Sequence, residues 1–315
     1  MKLLFAFFRL IRWPNLLFIV LAQMLFYYCI VERITVYPLE SKFNFYSLLF
    51  LITASVLIAS AGYIINDYFD LNIDQVNKPA KLIIDKVIKR RWAIVWHMLL
   101  SMLGIGIGFY IGISNQLYWL GFANLVCVML LFGYSVSLKK KFLIGNILTA
   151  GLTAWVILVV YLCYQDSFHY TVQTRHADPN VKIRFTRMAL LYAGFAFVIS
   201  LIREVIKDME DREGDEKFGC RTLPISWGIP ASKVFVGVWI IVLIGILGIV
   251  QFYVMQFNWW WSAFYCILAI IIPLLLILKR LNRAQVAADY HSLSVAVKVV
   301  MFTGILSMIF FRIYL

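Results

Sequence analysis

FYSLLFLITASVLIASAGYIINDYFDLNID (45–74) runs as an apolar stretch and then turns acidic at Asp67, Asp70 and Asp74. Residues 45–65 carry no acidic, basic or imidazole group. As an α-helix rising about 1.5 Å per residue, such a run crosses the roughly 30 Å hydrocarbon core of a bilayer. A barrel strand would alternate polar and apolar side chains, and no alternation is present. A helix is the remaining way to satisfy every backbone N–H and C=O in lipid.

Comparable stretches recur along the chain and give nine spans at about 14–31, 45–65, 93–113, 117–136, 144–164, 188–207, 233–252, 259–278 and 295–314. The 315 residues are 63% hydrophobic and 14% charged, with mean hydropathy +0.86, which excludes an ordinary soluble domain. The expected fold class is therefore all-α, a polytopic transmembrane helical bundle. No linker or low-complexity segment divides it, so residues 1–315 are expected to form a single integral-membrane domain. Lys2 and the apolar patch interrupted by Arg9 and Arg12 suit a short interfacial helix, not a secretory signal. Cys29, Cys127, Cys163, Cys220 and Cys266 are scattered without a CxxC or a histidine at ligand spacing. They are expected to pack as small residues, with no disulfide and no zinc site.

Placing the N-terminus in the cytoplasm and the C-terminus outside puts 22 Lys and Arg on the cytoplasmic side and 7 on the other. The net charge of +13 is then explained by basic loops facing anionic lipid headgroups, and no nucleic-acid partner is implied. Residues 165–187, with Arg175, Lys182, Arg184 and Arg187, depart from this pattern and are expected to form an outer surface loop. The second span ends in NDYFDLNID (66–74) and the sixth, four spans later, near DMEDREGD (208–215). The fourth and eighth end in basic clusters, Lys139-Lys140-Lys141 and Lys279-Arg280. This periodicity predicts two four-helix repeats plus one span, around a central cavity opening near the cytoplasmic side.

Asp67, Asp70 and Asp74 are spaced by three and four residues, and so are Asp208, Asp211 and Asp215. On a continuing helix each trio shares one face, and Asn66 adds an amide oxygen beside Asp70 and Asp74. Stacked like charges repel, so a cation is expected among them. Mg²⁺ prefers hard oxygen ligands and commonly binds through one or two carboxylates together with substrate phosphates. Two such clusters facing one cavity suit a diphosphate whose departure builds negative charge. Lys78, beside Pro79, and Lys139, after Tyr134, are the candidate phosphate clamps. A secondary transporter is the alternative of another class, but its ionisable groups would lie inside the spans. Here the acids lie at the ends of spans.

These residues resemble the UbiA-type prenyltransferase superfamily, whose first signature is NDxxDxxxD and whose second is a DxxD or DxxxD cluster after the sixth span. RWPN (12–15) and YSVSLKKKFLIGN (134–146) are similar to family segments as well. The resemblance implies a multi-pass membrane enzyme, with its active site facing the cytoplasm, that ionises a prenyl diphosphate in the presence of Mg²⁺. It assigns metal and diphosphate to Asn66, Asp67, Asp70, Asp74, Asp208, Asp211 and Asp215, with Lys78 and Lys139 on the diphosphate. Asn15 and Tyr134 are implied on the acceptor side. Members acting on 4-hydroxybenzoate carry DTxYAxxDxxDD where this chain has Glu204, Lys207 and Asp208 in place of Asp, Tyr and Ala. The run REVIKDMEDREGDEKFGCRTLP (203–224) is instead most similar to the ether-lipid branch, the digeranylgeranylglyceryl phosphate synthases. The acceptor implied is a prenylglyceryl phosphate, whose phosphate Arg203, Lys207 and Arg221 could meet. Aromatic prenylation in quinone biosynthesis, on dihydroxynaphthoate, homogentisate or 4-hydroxybenzoate, is the alternative within the superfamily.

Overall fold

Apolar periodicity becomes helix throughout the computed structural model, which describes residues 2–34, 43–77, 79, 82–174 and 180–314. The helices that organise it are α1 (Lys2–Leu10), α2 (Trp13–Ile34), α3 (Phe45–Phe69), α4 (Leu71–Asn77), α5 (Arg90–Ser114) and α6 (Trp119–Val136). They continue as α7 (Ile144–Thr174), α8 (Val181–Glu210), α9 (Arg212–Lys217), α10 (Gly228–Met255), α11 (Trp260–Arg283) and α12 (Ala287–Tyr314). Among the described residues, nine helices are long and apolar enough to cross a membrane: α2, α3, α5 to α8 and α10 to α12. The integral, multi-pass, all-helical reading therefore stands.

The expected outer loop at 165–187 is corrected. Helix α7 has 31 residues and α8 has 30, so helix occupies most of that stretch. Each is about 45 Å long, more than hydrocarbon requires, and the surplus lets α8 carry Lys182, Arg184 and Arg187 without burying them in lipid. Arg175 lies outside the described residues.

Among the described residues, α12 is interrupted by a turn between Leu306 and Ile309, and two further spans carry π-turns. A π-turn at Tyr27–Val31 widens α2, and another at Ile267–Ile271 precedes Pro273 in α11. Proline has no N–H for the carbonyl of Ala269, four residues back, and that carbonyl would be orphaned. Thr303 Oγ1 of α12 donates to it at 2.9 Å, the kind of side-chain rescue that makes a helix break tolerable in lipid.

The chain condenses into two units interleaved in sequence. The first comprises Met1–Gln23, Glu40–Leu148 and Glu213–Cys220; the second comprises Met24–Leu39, Thr149–Arg212 and Arg221–Leu315. In the first, Gly104 of α5 presses against Ile58 and the Ala54 carbonyl, and Gly108 against Asn124. Asn124 Nδ2 donates to the Gly104 carbonyl at 3.1 Å. Between helices in lipid there is little hydrophobic drive, so close approach through small residues and such interhelical bonds must hold them. Below this, Leu10, Leu16, Ile64, Leu71, Ile83 and Ile88 form a buried cluster that seats α1 and α4. In the second unit the corresponding ties are hydroxyl pairs: Thr153 with Ser200 at 3.2 Å, Tyr161 with Thr186 at 3.0 Å and Tyr192 with Ser307 at 3.0 Å.

Candidate active site

The first acidic segment sits where α3 gives way to α4. Asp70 is the C-cap of α3, with φ −85° and ψ −1°, and α4 starts at the next residue. The amide ladder survives the change of direction, since Asp70 N–H donates to Asn66 O at 2.9 Å and Asp74 N–H to Asp70 O at 2.8 Å. The motif is thus two helices meeting at its central aspartate, where the sequence suggested one continuous helix.

That junction sorts the side chains. Asp67 Oδ1 accepts from Arg12 Nη2 at 2.7 Å, and Arg12 also lies 5.1 Å over the ring of Tyr63. Asn66 Nδ2 donates to Asp70 Oδ2 at 2.9 Å. The Lys139 ammonium donates to Asn66 Oδ1 at 3.3 Å and to Asp70 Oδ1. This Lys–Asp pair is largely sheltered, with side-chain exposures of 11% and 17%. An ion pair so placed is held by geometry, and removal of one partner strands the other charge.

Lys139 reaches this position because a short 3₁₀ turn, Leu138–Lys140, follows α6 and folds against the start of α7. Gly145 allows it: a Cβ there would stand 2.8 Å from Lys139 Cα, 3.2 Å from Leu138 O and 3.2 Å from the Tyr134 ring. Tyr134 is therefore half-buried beside the Lys139 turn. Asn15 is half-buried in the first turn of α2, with its N–H on the Arg12 carbonyl at 2.8 Å. Lys78 lies outside the described residues.

The second acidic segment repeats the backbone device. Asp211 is the C-cap of α8, with φ −92° and ψ 6°; its N–H donates to Lys207 O at 2.8 Å, and α9 follows at once. Asp208 and Asp211 belong to the second unit and Asp215 to the first. One turn before Asp208, Glu204 accepts from Arg203 Nη1 at 3.0 Å and from Lys207 Nζ at 3.2 Å, one on each oxygen. Arg203 Nε is buried without a hydrogen bond. Arg221 is exposed. The two cations read as acceptor contacts are thus already gathered on a carboxylate.

Within the first unit, the stretch Glu213–Cys220 returns to the first acidic segment. Gly214 N–H donates to Asn77 Oδ1, at the end of α4, at 2.8 Å. Cys220 N–H donates to Asp215 O at 2.9 Å. The buried Cys220 thiol is pushed up to about 11, first by burial and then by Asp215, and it feels Lys140, Asp70 and Lys139 as well. Asn77, Gly145 and Gly214 were missed in the sequence because glycines and an asparagine beside charged motifs carry no chemistry of their own. Their signal was position, next to Lys78-Pro79, Lys139 and Asp215.

Among the described residues, no three His, Cys, Asp or Glu side chains converge as they would around an ion. The donor chemistry nonetheless fits Mg²⁺. Asn66 and Asp70 turn hard oxygens toward a single cation, the Lys139 ammonium, so the segment is built to surround positive charge.

The UbiA prenyltransferase family profile matches residues 34–305. The digeranylgeranylglyceryl phosphate synthase of Sulfolobus acidocaldarius is 33% identical over 232 residues, covering 70% of this chain and 72% of that protein. Those of Methanosphaera stadtmanae and Methanothermobacter thermautotrophicus are 32% and 33% identical, and the chain spans only 55% and 61% of their lengths. A solved structure described as digeranylgeranylglyceryl phosphate synthase shares the fold with a TM-score of 0.63 at 23% identity, over 100% of both chains. A UbiA homolog from Archaeoglobus fulgidus bound to DMAPP and Mg²⁺ shares it with a TM-score of 0.55 at 14% identity, over 96% of this chain and 99% of that one.

Proposed function

Because the chain belongs to the UbiA prenyltransferase family, we propose that it transfers a geranylgeranyl-type group from a prenyl diphosphate to the hydroxyl of a prenylglyceryl phosphate, forming an ether-lipid precursor. The observation that carries this reading is the enclosed cation: Lys139 held by Asn66 and Asp70 at a helix junction, in the unit that also contains Asp215. An ammonium poised among oxygens can exchange them for phosphate oxygens when the donor arrives.

In this reading Asn66, Asp67, Asp70, Asp74, Asp208, Asp211 and Asp215 would hold Mg²⁺, which when bound would supply positive charge to the leaving group. Asp67 keeps Arg12 in place at the edge of the site. Lys139, with Lys78, binds and orients the diphosphate. The allylic C–O bond breaks with its electron pair leaving on pyrophosphate, the acceptor hydroxyl attacks the allylic carbon, and its proton passes to Asp208 or Asp211. Arg203 and Lys207, presented together by Glu204, and the exposed Arg221 meet the acceptor phosphate. Asn15 and Tyr134 border the acceptor. The excess of Lys and Arg on one side supports a site that faces the cytoplasm. The two related motifs support a bundle of repeated halves acting as one catalytic domain.

The test is parallel incubation of purified protein, Mg²⁺ and geranylgeranyl diphosphate with geranylgeranylglyceryl phosphate, 4-hydroxybenzoate and dihydroxynaphthoate. An ether product from the first alone is expected. A C-prenylated aromatic product would move the chain to the quinone branch.

A further inference from the structure

Gly214 is the third residue of α9, and its N–H belongs to the first turn, where helix donors lack partners of their own. A local cap would come from a residue just upstream. The acceptor here is the Asn77 side chain, 137 positions away in sequence and the last residue of α4. The fit is reciprocal. A Cβ on Gly214 would lie 2.5 Å from both Oδ1 and Nδ2 of Asn77, while the backbone of Gly214 is outside the left-handed region. Glycine is thus kept at 214 to admit the Asn77 amide and not to permit an unusual φ, even though alanine is the better helix former.

We propose that Asn77 and Gly214 form a lock whose role is to position the chain carrying Asp215 against the first acidic segment. The inference rests on the reading that these segments bind the diphosphate. Asn77 and Gly214 are positioning residues and touch no reacting atom. The far end of the locked stretch is Cys220, tied back to the Asp215 carbonyl and lying in the field of Asp70, Lys139 and Lys140. Cys220 is 5% exposed, so it reports whether the stretch is seated.

The experiment compares the wild type with N77A, G214A and the double variant in detergent. Alkylation of Cys220 by a maleimide at fixed pH is followed peptide by peptide, alongside the apparent KM for prenyl diphosphate. Loss of one hydrogen bond predicts about tenfold faster alkylation in N77A, and G214A is at least as fast because its methyl must displace an amide. The double variant is expected to be no faster than N77A, since the methyl then occupies the space the amide left. The KM for prenyl diphosphate should rise in both single variants, with kcat falling less.

Single-variant effects that multiply in the double, or alkylation unchanged in both singles, would overturn the lock. Coupled alkylation with an unchanged KM would overturn its positioning role. A wild type that consumes no prenyl diphosphate would instead count against the proposed function, and the alkylation cycle would still decide the lock.

Discussion

Asp70 and Asp211 end their helices in nearly the same backbone conformation, with φ of −85° and −92° and ψ near zero, yet the cations paired with Asp67 and Asp70 and those paired with Glu204, one turn before Asp208, arrive by different routes. At the first segment they come from afar: Arg12 is 55 residues from Asp67, and Lys139 is 69 residues from Asp70. At Glu204, just ahead of the second segment, they come from the same stretch of α8, where Arg203 and Lys207 share its carboxylate. A cation delivered by a distant element is fixed by the fold and suits a ligand of constant shape. Cations one helical turn apart, on a single carboxylate, can be released together. Under the proposed function, the first arrangement would meet the diphosphate of the donor and the second the phosphate of the acceptor.

The comparison breaks most visibly at its shared element. Asp70→Asn and Asp211→Asn keep the shape of each cap and remove one charge. Each should lower prenyl transfer by about 10² to 10³, the scale of deleting a group that stabilises developing charge. Asp70→Ala and Asp211→Ala should abolish it. Protein abundance and thermal midpoint are measured in parallel, because a sheltered Lys139 left without Asp70 carries a stability cost of its own. Full turnover in one Asn variant would remove that aspartate's segment from the chemistry, and full turnover in both would remove the proposed mechanism.

Lys139→Ala tests delivery from afar. Loss of one charged clamp, worth about 1.5–3 kcal/mol, should raise the apparent prenyl-diphosphate requirement by roughly 10- to 100-fold and leave the acceptor requirement unchanged. Gly145→Ala should act in the same direction without touching the charge, since its Cβ would meet the Lys139 backbone at 2.8 Å and backbone cannot swing aside. Unchanged donor kinetics in both would leave Lys139 as a determinant of topology alone.

Glu204→Gln tests release from one turn. With the carboxylate charge gone, Arg203 and Lys207 lose their common partner, and the acceptor KM should change by roughly tenfold, the effect of about 1.4 kcal/mol. The donor KM should stay as it was. An equal change in both constants would mean that the second segment does not distinguish acceptor from donor.

The spans were legible because hydropathy in lipid is a single, strong constraint, and 45–65 satisfies it without exception. The helical extensions at 165–187 were not, since charge there reads as loop when no bilayer boundary limits how far a helix runs. The acids were legible by spacing, but a three-and-four pattern cannot tell one helix from two that keep the amide ladder across Asp70. The fold pairs Asp67 with Arg12 and Asp70 with Lys139, and that sorting depends on elements whose approach no local pattern encodes. Gly145 and Gly214 show the same limit: each matters through what it leaves room for.

The smallest effect comes from the cation at the turn between α1 and α2. Arg12 sits between α1 and α2 at φ 51°, a left-handed conformation that costs a non-glycine residue on the order of 1 kcal/mol. Its pairing with Asp67 is partly exposed, at 36% and 21%, and is worth about 1 kcal/mol or less, with a comparable amount from Tyr63. Arg12→Ala keeps the strain and loses both partners, whereas Arg12→Gly loses the partners but relieves the strain. The thermal midpoint should therefore fall further in Arg12→Ala than in Arg12→Gly, and turnover should drop by less than about tenfold in both. The reverse order of midpoints would mean that the turn at Arg12 is held by its neighbours and stores no strain, and a collapse of turnover in both would place Arg12 among the residues that bind the donor.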